Sequence, residues 1–78
     1  MTCSEAIVIR ITNLRTAKGW TVNHLAVMAG LRQSTVNNIV EGRSKNTGII
    51  TLVKLASAFS MTVAEFLDFP EMNNIELE

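Results

Sequence analysis

Seventy-eight residues make one small domain, near the size at which a single hydrophobic core only just suffices. The chain is 47% hydrophobic with three Phe, one Trp and no Tyr, which suits short interlocking helices, and its seven Lys and Arg balance seven Asp and Glu. One cysteine excludes an internal disulfide, no apolar run reaches the roughly 18 residues of a membrane span, and nothing at the N-terminus has the pattern of a secretion signal, so a reducing cytoplasm is the expected setting.

Thr2 followed three residues later by Glu5 forms a capping box, and Ile7, Ile11 and Leu14 recur at helical spacing until Gly19, which predicts a first helix over residues 3–18. Ile9 lies off that stripe among Thr12 and Thr16. It reads as a lone exposed isoleucine, with contact to another chain as the alternative. Thr21 is a good N-cap, and Trp20 before it is placed as a staple to Leu25. The second helix is expected over 22–29, burying Leu25, Ala26 and Ala29; the two alanines allow another helix to cross closely.

Gly30-Leu31-Arg32 then makes a tight turn into a third helix, expected over 33–41 and closed by Gly42. Residues 43–48 form a polar loop with two cations and no acid. Ile49, Leu52, Val53, Ala56 and Phe59 predict a fourth helix over 49–60. Thr62 and Glu65 form a second capping box, with Met61 and Phe66 as its staple, for a short fifth helix over 63–68 that Pro70 prevents from continuing. This divides the chain into a folded domain over 1–69 and an acidic tail over 70–78. The tail is expected to be disordered or weakly ordered, with an added strand or a dimer contact as alternatives.

The third helix carries the functional signal. Val36, Ile39 and Val40 fall on one face, while Ser34, Asn37 and Asn38 fall on the other, with Gln33 and Thr35 in the first turn. A merely solvated face would be filled with Lys and Glu. Gln, Asn, Ser and Thr are instead the groups that pair with base edges in a major groove, so this segment reads as a DNA-reading helix. The charge distribution agrees. Residues 1–54 hold all seven cations (Arg10, Arg15, Lys18, Arg32, Arg43, Lys45 and Lys54) against two acids, a balance of +5, whereas residues 55–78 hold five acids and no cation.

Leu14-Arg15, Leu25-Ala26, Gly30-Leu31, the run Gln33 to Ile39, Gly42-Arg43-Ser44-Lys45-Asn46, Thr51-Leu52, Lys54-Leu55-Ala56 and Thr62-Val63 with Glu65-Phe66-Leu67 stand in an order and spacing that resembles the Cro/cI-type (XRE) helix-turn-helix DNA-binding domains, particularly small stand-alone bacterial regulators. The resemblance covers about residues 7–67. It implies an all-α, compact five-helix bundle of the lambda-repressor-like type, in which the Gln33 helix enters the major groove and the preceding helix braces it. It also implies base contacts from Gln33, Ser34, Thr35, Asn37 and Asn38. Gln and Asn can pair bidentately with adenine, and Ser and Thr can donate to several bases. Phosphate contacts are implied for Thr21, Asn23, Arg43 and Lys45, and Arg32 replaces the usual Ser or Thr cap with a cation near the backbone.

Three residues depart from the family pattern. Val22 stands where a phosphate-contacting Gln is frequent. Val40 stands where a Glu often pairs with the counterpart of Arg15, leaving Glu41 as a substitute. Thr47-Gly48 replaces a frequent Pro-Thr pair before the fourth helix.

The expected function is sequence-specific binding of double-stranded DNA by a transcriptional regulator, a repressor that occludes a promoter. One such domain makes a small interface, so a homodimer on a pseudo-palindrome with half-sites about one helical turn apart is expected. The fifth helix with Phe66, Phe69 and the tail is the candidate dimer surface. The alternative is an antitoxin or adaptor-type module that uses the same fold to bind a protein partner. Enzymatic activity is not expected: His24 and Cys3 are the only residues of their kinds and lie on different predicted helices. Neither a glycine-rich phosphate loop nor a metal-ligand cluster is present, so no cofactor and no metal are expected, and no membrane association.

Overall fold

Threonine hydroxyls start three of the five helices in the computed structural model, which describes residues 1–77. The helices are α1 (Cys3–Lys18), α2 (Val22–Ala29), α3 (Gln33–Val40), α4 (Ile49–Ala58) and α5 (Val63–Leu67), followed by a 3-10 turn over Met72–Asn74. Thr2, Thr21 and Thr62 accept the backbone N–H of Glu5, His24 and Glu65 at 3.3, 3.0 and 3.1 Å, satisfying donors that the first helical turn leaves open. Both expected capping boxes close reciprocally: the Thr2 and Thr62 N–H groups donate to Oε1 of Glu5 and Glu65, each at 2.8 Å. Those backbone bonds are the main reason both carboxyls titrate below the ordinary glutamate range.

The helix ends repeat one device. Gly42, at φ 77°, closes α3: its N–H donates to the Ile39 carbonyl at 3.1 Å, and the Arg43 N–H donates to the Asn38 carbonyl at 2.8 Å. The end of α4 has the same pair of bonds without a glycine. Ser60 sits at φ 57°, its N–H donates to Ser57, and the Met61 N–H donates to Ala56, both at 2.9 Å. The chain therefore leaves α4 before Ser60, the expected helix end.

Phe66, Ile11, Leu25, Leu55 and Val36 are fully buried and tie the helices together. α2 packs against both α3 and α4, α1 against α3, and α4 against α5. Full burial of each such side chain contributes about 1.5–3 kcal/mol, so the core is the main source of stability in a domain of this size. Trp20, in the connection before α2, stacks on Phe59 with ring centroids 5.4 Å apart. Phe59 in turn stacks on Phe66 at 6.5 Å, which links that connection to α5 through one aromatic column.

The structure corrects several expectations. The chain after Pro70 is ordered against α1: Glu76 forms a parallel bridge with Thr2, and its N–H donates to the Met1 carbonyl at 2.9 Å. Met72 packs against the core, which gives this segment an apolar anchor. Glu78, at the end of the expected tail, lies outside the described residues. Phe66 and Phe69 are 0% and 5% exposed, so neither offers a dimer surface. Ile9 is half-buried and lines a groove with Val8 and Val40, because the residues after α3 fold back beside α1.

Candidate nucleic-acid interface

Helix α3 is fixed from below by Val36 and Ile39, 0% and 3% exposed, which leaves its polar residues to the other side. Gln33, Ser34 and Asn38 are exposed; Thr35 and Asn37 are half-buried, so these two are less available than the periodicity alone implies. Arg32 takes the N-cap position in an extended conformation with no side-chain capping bond, leaving its guanidinium exposed beside the helix start.

One shallow cleft, of about 550 Å³, gathers part of the expected site. Thr35, Asn38 and Arg43 line it with Ser44, Asn46 and Thr51. The cleft joins the face of α3 to the loop after it and to the first turn of α4, and Arg43 supplies its cation. Lys45, from the same loop, lines a separate groove of about 360 Å³ with Val8, Ile9 and Val40. Its charge also contributes slightly to holding the Glu5 carboxyl low.

Arg43 is held inside the site. Its Nε donates to Asn38 Oδ1 at 2.9 Å, and its Nη1 pairs with the carboxylate of Glu41. Arg43 and Asn38, expected as separate contacts to phosphate and to base, are joined here. Their separation of five residues across the Gly42 turn is the signal that connects them. That turn also directs the backbone N–H groups of Arg43 and Ser44 onto the Asn38 carbonyl, at 2.8 and 3.0 Å.

Thr21 and Asn23 are exposed at the start of α2. The Thr21 hydroxyl already accepts the His24 N–H, which leaves its own hydrogen to donate. Beside them, Lys18 lies over the Trp20 ring with Nζ 5.4 Å from the centroid, and His24 meets the same ring edge-on at 4.9 Å. This group of polar and cationic side chains around Trp20 was not singled out from the sequence, because Lys18 is placed there by the turn at Gly19.

Two of the seven cations are half-buried and bonded within the fold. Arg10 donates to carbonyls of α5, and Arg15 Nη1 donates to the Trp20 carbonyl at 2.9 Å. Glu41 does not replace the missing Glu partner of Arg15, since it pairs with Arg43; Arg15 Nε is buried with no hydrogen-bond partner among the described residues. The +5 of the first 54 residues therefore overstates the charge available to a polyanion.

Among the described residues, no helix is long and apolar enough to cross a membrane. The helix-turn-helix family profile matches residues 11–66, well over half of the chain. No curated protein matches the sequence. Among solved structures, the prophage Lp1 protein 11 is 39% identical with a TM-score of 0.80, the match covering 96% of this chain and 99% of that one. SinR, the master regulator for biofilm formation, solved in complex with DNA, is 31% identical with a TM-score of 0.70 over 80% of this chain and 98% of that one. The restriction-modification controller protein C.AhdI from Aeromonas hydrophila is 33% identical with a TM-score of 0.69 over 77% and 89%. The matched range includes α2, the turn at Gly30 and α3 in full, and the chain belongs to the helix-turn-helix family of Cro/cI (XRE) type.

Proposed function

We propose that this protein is a cytoplasmic transcriptional regulator that binds double-stranded DNA sequence-specifically and represses by occluding a promoter. The observation that carries this reading is the outer face of α3. Gln33, Ser34 and Asn38 are exposed and uncharged while Val36 and Ile39 anchor the same helix in the core. Gln33, Ser34 and Asn38, with Thr35 and Asn37 at the edge, contact bases; Arg32, Arg43 and Lys45, with Thr21 and Asn23 at the start of α2, contact phosphates. The likeness to SinR, which has been solved bound to DNA, supports the assignment.

The longest dimension of the fold is 31 Å, shorter than the roughly 34 Å of one DNA helical turn. That size supports the reading of one copy on each half-site of a pseudo-palindrome. Selection from random duplexes with the purified protein is expected to recover a two-fold-symmetric motif with half-sites about 10 base pairs apart. Recovery of no motif at low salt would remove this reading.

A second reading, an antitoxin or adaptor that engages a protein, is favoured by the similarity to SinR in its complex with SinI, at 31% identity over 80% of this chain and 60% of that one. Stoichiometric co-purification of a protein that prevents DNA binding would support it.

A further inference from the structure

From the surface of α4 we infer that two copies of this chain on neighbouring half-sites pair through that helix, antiparallel about a two-fold axis at Val53. The inference rests on the reading of the protein as a DNA-binding regulator.

Ile49, Ile50 and Val53 are 59%, 66% and 45% exposed. Leu55 and Phe59, on the opposite side of α4, are buried in the core, so this helix is apolar on both sides. A surface helix ordinarily turns polar and charged residues outward. At about 100° per residue, Ile49, Val53, Ser57 and Ile50 fall within an arc of about 100°, flanked by Lys54 and by no acid. The three large side chains form an apolar patch on the order of 300 Å², the size at which such a patch on a small domain often marks an interaction site.

The patch is complementary to itself. Its bulk lies at the N-terminal end, and at the other end Ser57 is small and exposed. When two copies of α4 meet antiparallel, Val53 faces Val53, and Ile49 and Ile50 of each copy lie over Ser57 of the other, large against small. The two-fold axis also keeps each edge of the helix on the same side in both copies. Thr51 lies beyond Lys54 on one of those edges and lines the cleft that holds Asn38 and Arg43. Both clefts therefore open on one side of the pair, as a shared duplex requires.

Two patches of this size fall short of the roughly 1,200 Å² that a stable complex buries, so the face does not sustain a dimer in free solution. On DNA the neighbouring half-site supplies a high effective concentration, and a small face is enough to couple two copies. The pairing is therefore read as cooperativity.

The test compares affinity for a selected duplex with two half-sites and for the same duplex with one half-site scrambled. Wild type is expected to gain about tenfold or more from the second half-site beyond independent binding. The double variant Ile50→Gln, Val53→Gln alters only exposed side chains. It is expected to keep the single-half-site affinity and lose that gain. A short bismaleimide should join the copies of a Cys3→Ser, Val53→Cys protein on the two-half-site duplex and not on the other. Undiminished cooperativity in the Gln variant would assign the face to a different partner or to none and overturn the inference. So would a wild type without cooperativity, or no covalent dimer on two half-sites. These results leave the regulator reading intact, whereas a wild type that binds selected and scrambled duplexes equally removes it.

Discussion

Arg10, in the middle of α1, terminates α5 from across the fold: its Nε donates to the Phe66 carbonyl and its Nη2 to the Glu65 carbonyl, both at 2.9 Å. The same guanidinium lies 5.0 Å from the centroid of Phe69. A five-residue helix cannot be stable by itself, and its last carbonyls have no intrahelical partners. One side chain therefore supplies a donor to the Phe66 carbonyl, adds a second to the Glu65 carbonyl beside the Asp68 N–H, and places a cation at the negative end of the helix.

Arg10→Met should accordingly destabilise the fold by about 2 kcal/mol, the range of a charge-assisted bond, since the Phe66 carbonyl loses its Arg10 donor while the Glu65 carbonyl keeps the Asp68 N–H. Urea unfolding followed by circular dichroism measures this. DNA affinity of the folded variant should keep its salt slope, because Arg10 is engaged with α5.

Ser60 occupies a left-handed conformation in which an L side chain is strained by about 1 kcal/mol or more. Ser60→Gly should raise stability by about 0.5–1 kcal/mol, since the two carbonyl bonds that close α4 are retained and only the strain is removed. The opposite change at α3, Gly42→Val, should destabilise and loosen the loop that holds Arg43, seen as a lower thermal midpoint and weaker DNA binding.

Acid should weaken the domain through its two capping boxes. Glu5 and Glu65 have carboxyls held below their ordinary range by the Thr2 and Thr62 N–H groups. A lowered folded pKa means that the unfolded chain takes up protons first, so the stabilisation is present above the unfolded glutamate value and is lost as pH falls through the folded one. Replacing both with Gln should flatten the acid limb of stability against pH below about 4.5. An acid limb unchanged in the double variant would place its origin elsewhere. Thr62→Ala should cost about 1 kcal/mol at neutral pH through loss of the cap.

The bundle was legible because its punctuation is local. Thr2, Thr21 and Thr62 start helices, Gly19 and Gly30 stop them, and the stripes through Ile11, Leu25, Val36 and Leu55 identify the buried faces. The features that escaped are those made by distant partners. Arg10 meets Phe66 over 56 positions, and Glu76 returns to Met1 over 75, separations at which sequence spacing carries no geometric information. Phe69 reads from the sequence as an interface residue because its partner, Arg10, stands on α1 at the other end of the chain. The Asn38 and Arg43 pair escaped for a different reason: periodicity assigns residues to faces within a helix, and this contact crosses the turn that ends one.

The central claim is that α3 reads bases, and it is tested most directly by comparing wild type and Gln33→Ala on a selected duplex and a scrambled one across a salt series. Wild type is expected to bind the selected duplex at least about a hundredfold more tightly than the scramble, and Gln33→Ala to lose at least about tenfold of that ratio while both proteins keep the same salt slope. An unchanged ratio in Gln33→Ala, or equal affinity of wild type for both duplexes, would contradict it.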